Sequence, residues 1–240
     1  MMTEETMFGK WYRRWFGKWI PEYGVLVLLA CGIFNNFIYW GTQRLAENTY
    51  HYDLTSAIDR KIPFVKEWII IYVVCFAFWA FNYILISREG KEKWYRFATA
   101  DLMSRLICGI FFVLLPTTNV RPQVTGNDFC SWLVNFVYTV DAPTNLFPSI
   151  HCLVSWFCFI GVRKSKKIPM WYKVFSLVFA ILVCASTQFT KQHYLPDVAG
   201  GILIAELCYY ITNHTRIYLG VERFFDRVGR VIFGVMRYDE

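Results

Sequence analysis

The chain has 240 residues, of which 56% are hydrophobic, 20% aromatic and only 18% charged, with a formal net charge of +7. This composition is too apolar for an average soluble domain. Several windows of about 20 mostly apolar residues would each span a bilayer as a helix, so we predict an all-α integral membrane protein. The basic residues cluster at the ends of the apolar windows, which indicates contacts with lipid headgroups and excludes nucleic acid as the expected partner.

The first half of the chain contains three predicted spans. Residues 1–20 alternate basic and aromatic side chains, a pattern typical of an amphipathic helix on an anionic membrane surface. Predicted spans follow at residues 23–40, 68–86 and 97–115. The first two are joined by a polar link, and the second and third by a short basic one.

The loop after the third span, up to about residue 147, has Arg121 as its only basic residue. Asp128 is placed to cap a short helix with Phe129, Trp132 and Phe136 on one face. The loop is long for a link without structure, so we predict that it forms a lid or a wall of a site.

Three further spans are predicted at residues 148–162, 171–189 and 195–212, followed by a second amphipathic segment at residues 215–240. The predicted organisation is thus an interfacial segment (1–20), a six-helix membrane domain (21–214) and a cytoplasmic tail (215–240). The two ends and two of the links carry four or more Lys or Arg each, whereas two links carry one each. The positive-inside rule then places both termini in the cytoplasm.

This topology places three polar clusters at the extracytoplasmic side of the membrane. They are Arg121; Ser149 and His151; and Lys191, His193 and Asp197. His193 and Asp197 are four residues apart and would share a helix face, where a carboxylate can orient an imidazole. Two histidines, a carboxylate, cations and a helix N-terminus are the parts of a phosphoryl-transfer site.

Each of these residues also has a simpler interpretation. His151 could be an interfacial helix-end residue, and Asp197 could only cap a helix. Arg121 and Lys191 could be snorkelling anchors. A metal site made of the two histidines and the aspartate lacks a fourth ligand at a suitable spacing. The eight cysteines form no C-x-x-C pair, and a disulfide between Cys130 and Cys152 stays open.

The motifs Arg121-Pro122, Pro148-Ser149-Ile150-His151 and Ser186 with His193 to Asp197 resemble the three signature blocks of the type 2 phosphatidic acid phosphatase (PAP2) superfamily. Those blocks are K-x6-R-P, P-S-G-H and S-R-x5-H-x3-D. The resemblance covers about residues 59–205. Three positions depart from it: Leu114 replaces the lysine, Ile150 the glycine and Thr187 the arginine. Lys191 is the expected substitute for the missing arginine.

The resemblance implies roles for the cluster residues. His193 would be the nucleophile that forms a phosphohistidine, Asp197 would orient it, and His151 would protonate the leaving oxygen. Arg121, Ser149 and, as a substitute, Lys191 would bind the phosphate. No metal or other cofactor is expected. The forms F-P-S-I-H and K-Q-H-Y-x-x-D look most like the branch that contains inositol phosphorylceramide synthase and its bacterial relatives.

We therefore expect a multi-pass cell-membrane phosphatase that acts on a lipid phosphate or pyrophosphate at the extracytoplasmic face. The first alternative is a lipid headgroup phosphotransferase. The second, of another class, is a non-enzymatic lipid transporter or scaffold. The expected partners are the lipid substrate and the bilayer, and the oligomeric state stays open.

One structural prediction concerns charges inside the predicted spans. Arg105 and Glu206 each lie about 11 Å from a cytoplasmic helix end at 1.5 Å per residue. Charges at such depth usually face inward and pair. We predict an Arg105–Glu206 pair between the third and sixth spans, with Asp101 as a competing partner of Arg105.

Overall fold

A computed structural model describes residues 6–234, and the predicted all-helical architecture is confirmed there. The helices are α1 (Met7–Trp15), α2 (Glu22–Ala46), α3 (Ile69–Ser87), α4 (Lys91–Leu114), α5 (Phe129–Val140), α6 (Ile150–Arg163), α7 (Met170–Phe189), α8 (Leu195–His214) and α9 (Tyr218–Phe233). Two short strands, β1 (Tyr52–Asp53) and β2 (Thr117–Thr118), pair in parallel. The ends of the predicted terminal segments, residues 1–5 and 235–240, lie outside the described residues.

Within residues 6–234, five segments are long and apolar enough to cross a membrane, which indicates a multi-pass membrane protein. They are Glu22–Ala46, Lys66–Ser87, Lys91–Leu114, Met170–Phe189 and Leu195–His214. The predicted fourth span corresponds to α6, which has only 14 residues. At 1.5 Å per residue it is about 21 Å long, less than the roughly 30 Å of a bilayer core.

The short helix α6 lies inside the bundle, with α3, α7 and α8 packed around it. Most of its side chains are buried, including Leu153, Phe157 and Ile160, which are fully enclosed. Because protein rather than lipid surrounds α6, its length does not have to match the thickness of the bilayer.

The N-terminal ends of α6 and α8 meet at a backbone contact. The Ser149 N–H donates a hydrogen bond to the Asp197 carbonyl at 3.0 Å. Gly201 makes this approach possible, because a Cβ at this position would lie 2.6 Å from the Ser149 carbonyl oxygen. The two helices that carry the predicted histidine motifs are therefore held together where the motifs begin.

The predicted Arg105–Glu206 pair is wrong. Arg105 instead contacts Asp101 on its own helix at 2.7 Å, and Tyr83 donates a hydrogen bond to the same carboxylate. Glu206 faces α6, where Arg163 binds both of its carboxylate oxygens at 2.7 and 2.8 Å. Arg105 and Asp101 share a face of α4 because they are four residues apart, whereas Glu206 lies on the α6 side of α8.

The terminal helices pack against each other near the end of the described chain. Tyr12 of α1 and Phe233 of α9 are buried together, and the Thr6 hydroxyl donates to the Ile232 carbonyl at 2.7 Å. Trp11 and Trp15 on the outer side of α1 are exposed. All eight cysteines are free thiols, so the disulfide considered between Cys130 and Cys152 is not formed.

We expect Gly201→Ala to destabilise the bundle by about 1–3 kcal/mol, because the new methyl group meets backbone atoms that cannot rotate away. The thermal unfolding midpoint of the purified protein in detergent measures this effect. Gly41→Ala is the matched control, since a Cβ at this position would have no neighbour within 4 Å. The control should unfold at the same or a slightly higher temperature, and equal midpoints for the two variants would contradict the prediction.

Candidate functional site

A cavity of about 300 Å³ lies between α2, α3, α5 and the N-terminal end of α6. His151 and His193 both line it, and the centroids of their rings are 5.9 Å apart. Two histidines that are 42 positions apart in the sequence are thus brought to one cavity. Helix α5 lines it with Leu133, Phe136, Val137 and Val140, so this loop forms a wall of the cavity.

A tight turn after α7 positions His193. The backbone N–H groups of Gln192 and His193 both donate to the Thr187 carbonyl, at 2.9 and 3.1 Å. His193 Nδ1 then lies 3.4 Å from Asp197 Oδ2. That carboxylate oxygen also accepts the Tyr194 N–H at 2.9 Å, as a cap of α8. Asp197 therefore serves the helix and the histidine at once, as the four-residue spacing predicted.

The surroundings of His193 shift its pKa in opposite directions. Burial lowers the pKa of His193, because the charged imidazolium loses its hydration. The neighbouring Asp197 carboxylate stabilises the imidazolium and outweighs this effect, so the pKa of His193 is raised above its ordinary value of 6.5. The ring is buried, with 6% of its surface exposed.

His151 stacks on Tyr72, and the Tyr72 hydroxyl connects it to a second carboxylate, that of Asp141. Its ring stacks on Tyr72 with centroids 4.3 Å apart, and the Tyr72 hydroxyl lies 3.4 Å from His151 Nδ1. Tyr72 donates to Asp141 Oδ2 at 3.1 Å, and Tyr39 donates to Asp141 Oδ1. His151 Nε2 is buried and has no hydrogen-bond partner among the described residues.

Sequence reasoning missed Asp141, which ends α5 and lines the cavity beside the histidines. No motif marks it. The only available signal was a carboxylate at the end of a predicted helix in a loop that the charge distribution predicts to be extracytoplasmic. Its two tyrosine partners come from α2 and α3, so only the tertiary structure reveals the arrangement.

Arg121 lies directly behind the cavity wall. Its guanidinium donates to the Asp141 carbonyl and to Gln192 Oε1, both at 2.5 Å, and it packs over the Tyr138 ring at 4.7 Å. Gln192 and Asp141 line the cavity, whereas Arg121 does not. Arg121 is therefore one side chain away from the histidines.

Ser149 caps α6 and does not line the cavity. Its hydroxyl accepts the Cys152 N–H at 3.3 Å, and its side chain is fully buried. The next two residues, Ile150 and His151, line the cavity. First-turn N–H groups have no partner within their own helix, so the N-terminus of α6 offers donors to an anion at this point.

The structure places Lys191 outside the cavity, contrary to the prediction that it binds phosphate. Its ammonium donates to the carbonyls of Asp59 and Ile62, at 3.1 and 2.5 Å. The Asp59 carboxylate in turn accepts the Leu195 N–H at 2.8 Å. Lys191 thus ties the α2–α3 link to the turn before α8.

Neither Thr187 nor Lys191, the two residues considered at the arginine position of the third signature block, lines the cavity. The Thr187 hydroxyl is buried and donates to the Cys184 carbonyl at 2.8 Å. Gln192 is the polar side chain that the structure places at the cavity, next to His193, and its Nε2 is buried with no hydrogen-bond partner among the described residues. Within residues 6–234, no group of three or more His, Cys, Asp or Glu side chains has a geometry that could hold a metal ion.

A family model of the PAP2 superfamily matches residues 63–211, which is more than half of the chain. The chain belongs to the PAP2 superfamily. The matched region contains α3 to α7, most of α8 and every residue of the two histidine motifs. A comparison with curated proteins and a comparison with solved structures gave no match. Membership indicates an enzyme of the phosphatase or phosphotransferase type.

In the role predicted for it, His193 must be neutral to attack, so activity should fall as the pH drops through a pKa above 6.5. In Asp197→Asn the carboxylate that raises the pKa of His193 is lost, while burial, which lowers this pKa, remains. We therefore expect the acid limb of the kcat/KM profile to move to lower pH, with a lower plateau. Asp53→Asn, at an exposed strand residue, is the control, and an acid limb that stays in place in Asp197→Asn would contradict the assignment.

Proposed function

We propose that this PAP2 superfamily member transfers the phosphoryl group of a membrane lipid phosphate or pyrophosphate through a phosphohistidine, without a metal ion. The observation that supports this most is the pair of histidines at one cavity, one beside the Asp197 carboxylate and the other beside Tyr72 and Asp141. A binding protein would not need this arrangement of titratable groups.

The reaction has two steps. His193 Nε2 attacks phosphorus, while Asp197 stabilises the positive charge that develops on the imidazole. His151 protonates the leaving oxygen, and the phosphate becomes bonded to His193. His151 then removes a proton from the incoming acceptor, which displaces the phosphoryl group from His193. Water as the acceptor gives hydrolysis.

The negative charge of the phosphoryl group would be met by three sources of positive potential. These are the first-turn N–H groups of α6, the Gln192 amide and Arg121 behind it. Gln192 Nε2 has no partner among the described residues and is near the nucleophile, so it takes the place that we had assigned to Lys191. Ser149 acts indirectly, as the cap that orients α6.

A second candidate is transfer to the hydroxyl group of another lipid, as in the branch that contains inositol phosphorylceramide synthase. The observation that favours it is the apolar wall that α5 adds to the cavity beside the histidines. A site that excludes water protects a reactive intermediate from hydrolysis. A non-enzymatic transporter or scaffold is the alternative of another class.

We place the cavity at the extracytoplasmic face of a cell membrane, with α6 as a sixth membrane-embedded helix enclosed by the others. Helices α1 and α9 would lie on the cytoplasmic surface. The support for this orientation is the distribution of basic residues, which concentrate at the ends of the helices opposite to the cavity.

We expect His193→Ala to abolish covalent labelling by a lipid phosphate that carries radioactive phosphorus, because the acceptor nitrogen is gone. The label in the unmutated protein should be stable in base and labile in acid, as a phosphohistidine is. His214→Ala is the matched control, since this histidine is exposed at the other end of α8. If none of the lipid phosphates tested labels the unmutated protein, the result would favour the scaffold alternative.

The acceptor is tested on the same preparation. Release of free phosphate without an added alcohol supports hydrolysis. Label that persists until a diacylglycerol or ceramide is added, and then appears in a new lipid, supports transfer.

We expect Tyr72→Phe to lower kcat/KM for a lipid phosphate by about 10–100-fold, a part of the 10²–10⁴-fold that general acid catalysis typically contributes. The hydroxyl that links His151 to Asp141 would be lost. The loss should be smaller for p-nitrophenyl phosphate, whose leaving group needs little protonation. Tyr50→Phe, at an exposed residue, is the control. An equal loss with both substrates would show that Tyr72 only maintains the structure.

A further inference from the structure

The cavity at the histidines continues into the membrane region. A second cavity of about 280 Å³ lies below it and shares four lining residues with it, namely Asn35, Asn36, Phe76 and Trp79. Together the two cavities form one cleft between α2 and α3, which we call the α2–α3 cleft. It extends from His151 and His193 to the Asp101–Arg105 pair on α4.

The cleft exists because α2 and α3 pack on different neighbours. Helix α2 packs on α4 and α9, whereas α3 packs on α6 and α7. The link between α2 and α3 is tied to the outer end of the bundle by the β1–β2 pair and by Lys191. The two helices consequently stand apart and leave a gap along the side of the bundle.

The gap opens toward the bilayer. Trp40, Phe76 and Phe136 line the upper part of the cleft, and yet 56%, 52% and 51% of their surfaces are exposed on the outside of the bundle. Side chains that line the cavity and are also exposed on the outside of the bundle mark the mouth of the cavity. A lipid can therefore enter sideways from the membrane and reach the histidines.

Between the polar upper end at the histidines and the Asp101–Arg105 pair at the lower end, two consecutive asparagines of α2 line the otherwise largely apolar cleft. Asn36 is exposed, and its amide donates to the Gly32 carbonyl at 2.9 Å. Asn35 Oδ1 is buried and has no hydrogen-bond partner among the described residues. Amides in such surroundings are costly unless a partner is present, so their position indicates a ligand with polar groups at this level.

The depth of the asparagines matches the structure of a lipid with a polar backbone. They precede Tyr39 by three and four residues, which is about 5–6 Å along the helix axis. The Tyr39 hydroxyl contacts Asp141 beside the histidines. In a glycerol- or sphingoid-based lipid phosphate, the ester, amide or hydroxyl groups follow the phosphate within a few bonds. An isoprenoid phosphate has only hydrocarbon there.

The lower end of the cleft is also polar. Asp101 and Arg105 are 1% and 2% exposed, and Asp101 Oδ2 and Arg105 Nε and Nη1 have no hydrogen-bond partner among the described residues. An acyl chain and an isoprenoid chain would both meet this pair as hydrocarbon, so the lower end of the cleft does not distinguish between the two classes of lipid.

We propose that the α2–α3 cleft binds the lipid substrate and that Asn35 and Asn36 hydrogen-bond to its backbone. The preferred substrates are then lipid phosphates with ester, amide or hydroxyl groups next to the phosphate, and isoprenoid phosphates are poorer substrates. This inference rests on the function proposed above. It specifies which part of the lipid the protein recognises besides the phosphate, namely the polar groups next to it.

The test compares kcat/KM of the full-length protein in detergent micelles for three substrates: a diacylglycerol phosphate, a ceramide phosphate and a polyisoprenyl phosphate. The unmutated protein should prefer one or both of the first two. The double variant Asn35→Leu/Asn36→Leu should lower kcat/KM for the preferred lipid on the order of tenfold. Its kcat/KM for the polyisoprenyl phosphate should be unchanged or higher.

The control is Asn213→Leu, which removes an exposed amide that donates to the carbonyl four residues earlier in α8, as Asn36 does in α2. It should leave all three values unchanged. Equal or better turnover of the polyisoprenyl phosphate by the unmutated protein would overturn the inference. An unchanged substrate ratio in the double variant would do the same.

A water-soluble phosphate monoester separates this inference from the proposed function. Labelling of His193 by the soluble ester in the double variant, together with the lost preference among lipids, supports the inference. Labelling in the unmutated protein with no effect of the asparagines overturns the inference and leaves the proposed function intact. No labelling by any ester in the unmutated protein overturns both.

Discussion

The close approach of α6 and α8 is the constraint on which the rest of the site depends. A hydrogen bond from the Ser149 N–H to the Asp197 carbonyl joins the second and third motifs directly, and Gly201 leaves the space for it. His151 begins α6 and His193 precedes α8, so this contact sets the distance between the two rings. Because α6 is enclosed by other helices, it can be short enough to begin at the level of the cavity.

Each histidine lies near its own carboxylate, and the two carboxylates are connected to the histidines in different ways. Asp197 contacts His193 directly, whereas Asp141 reaches His151 through the Tyr72 hydroxyl. In the mechanism that we propose, the direct carboxylate stabilises the positive charge that forms on His193 during attack, and the Tyr72 hydroxyl holds the His151 ring while it gives and takes protons. The positive charge near the cavity is low for a phosphate site, since Arg121 stands behind Gln192 and Asp141. Helix-end N–H groups therefore take a larger share of the phosphate charge in the mechanism that we propose.

Some elements could be predicted from local patterns, and others could not. The α5 helix begins after Asp128, and the Asp128 side chain caps it, as expected from an acidic residue before an apolar stripe. The Arg105–Glu206 prediction failed because depth in the membrane limits which charges can pair but does not say which way each side chain faces. The expectation that Lys191 lies at the cavity was not met for a related reason. The Asp59 and Ile62 carbonyls that bind its ammonium belong to the α2–α3 link, whose path the sequence did not reveal.

The sequence by itself determined that the chain is helical and apolar enough for a membrane, which family it belongs to, and that His151, His193 and Asp197 form the centre of the candidate site. These features follow from composition, from spacing within one helix turn and from short motifs, all of which are local. Only the tertiary structure decided that Asp141, Tyr72 and Gln192 join the site and that a cleft between α2 and α3 leads to it. Those contacts join segments far apart in the chain, and they depend on how the helices pack against one another.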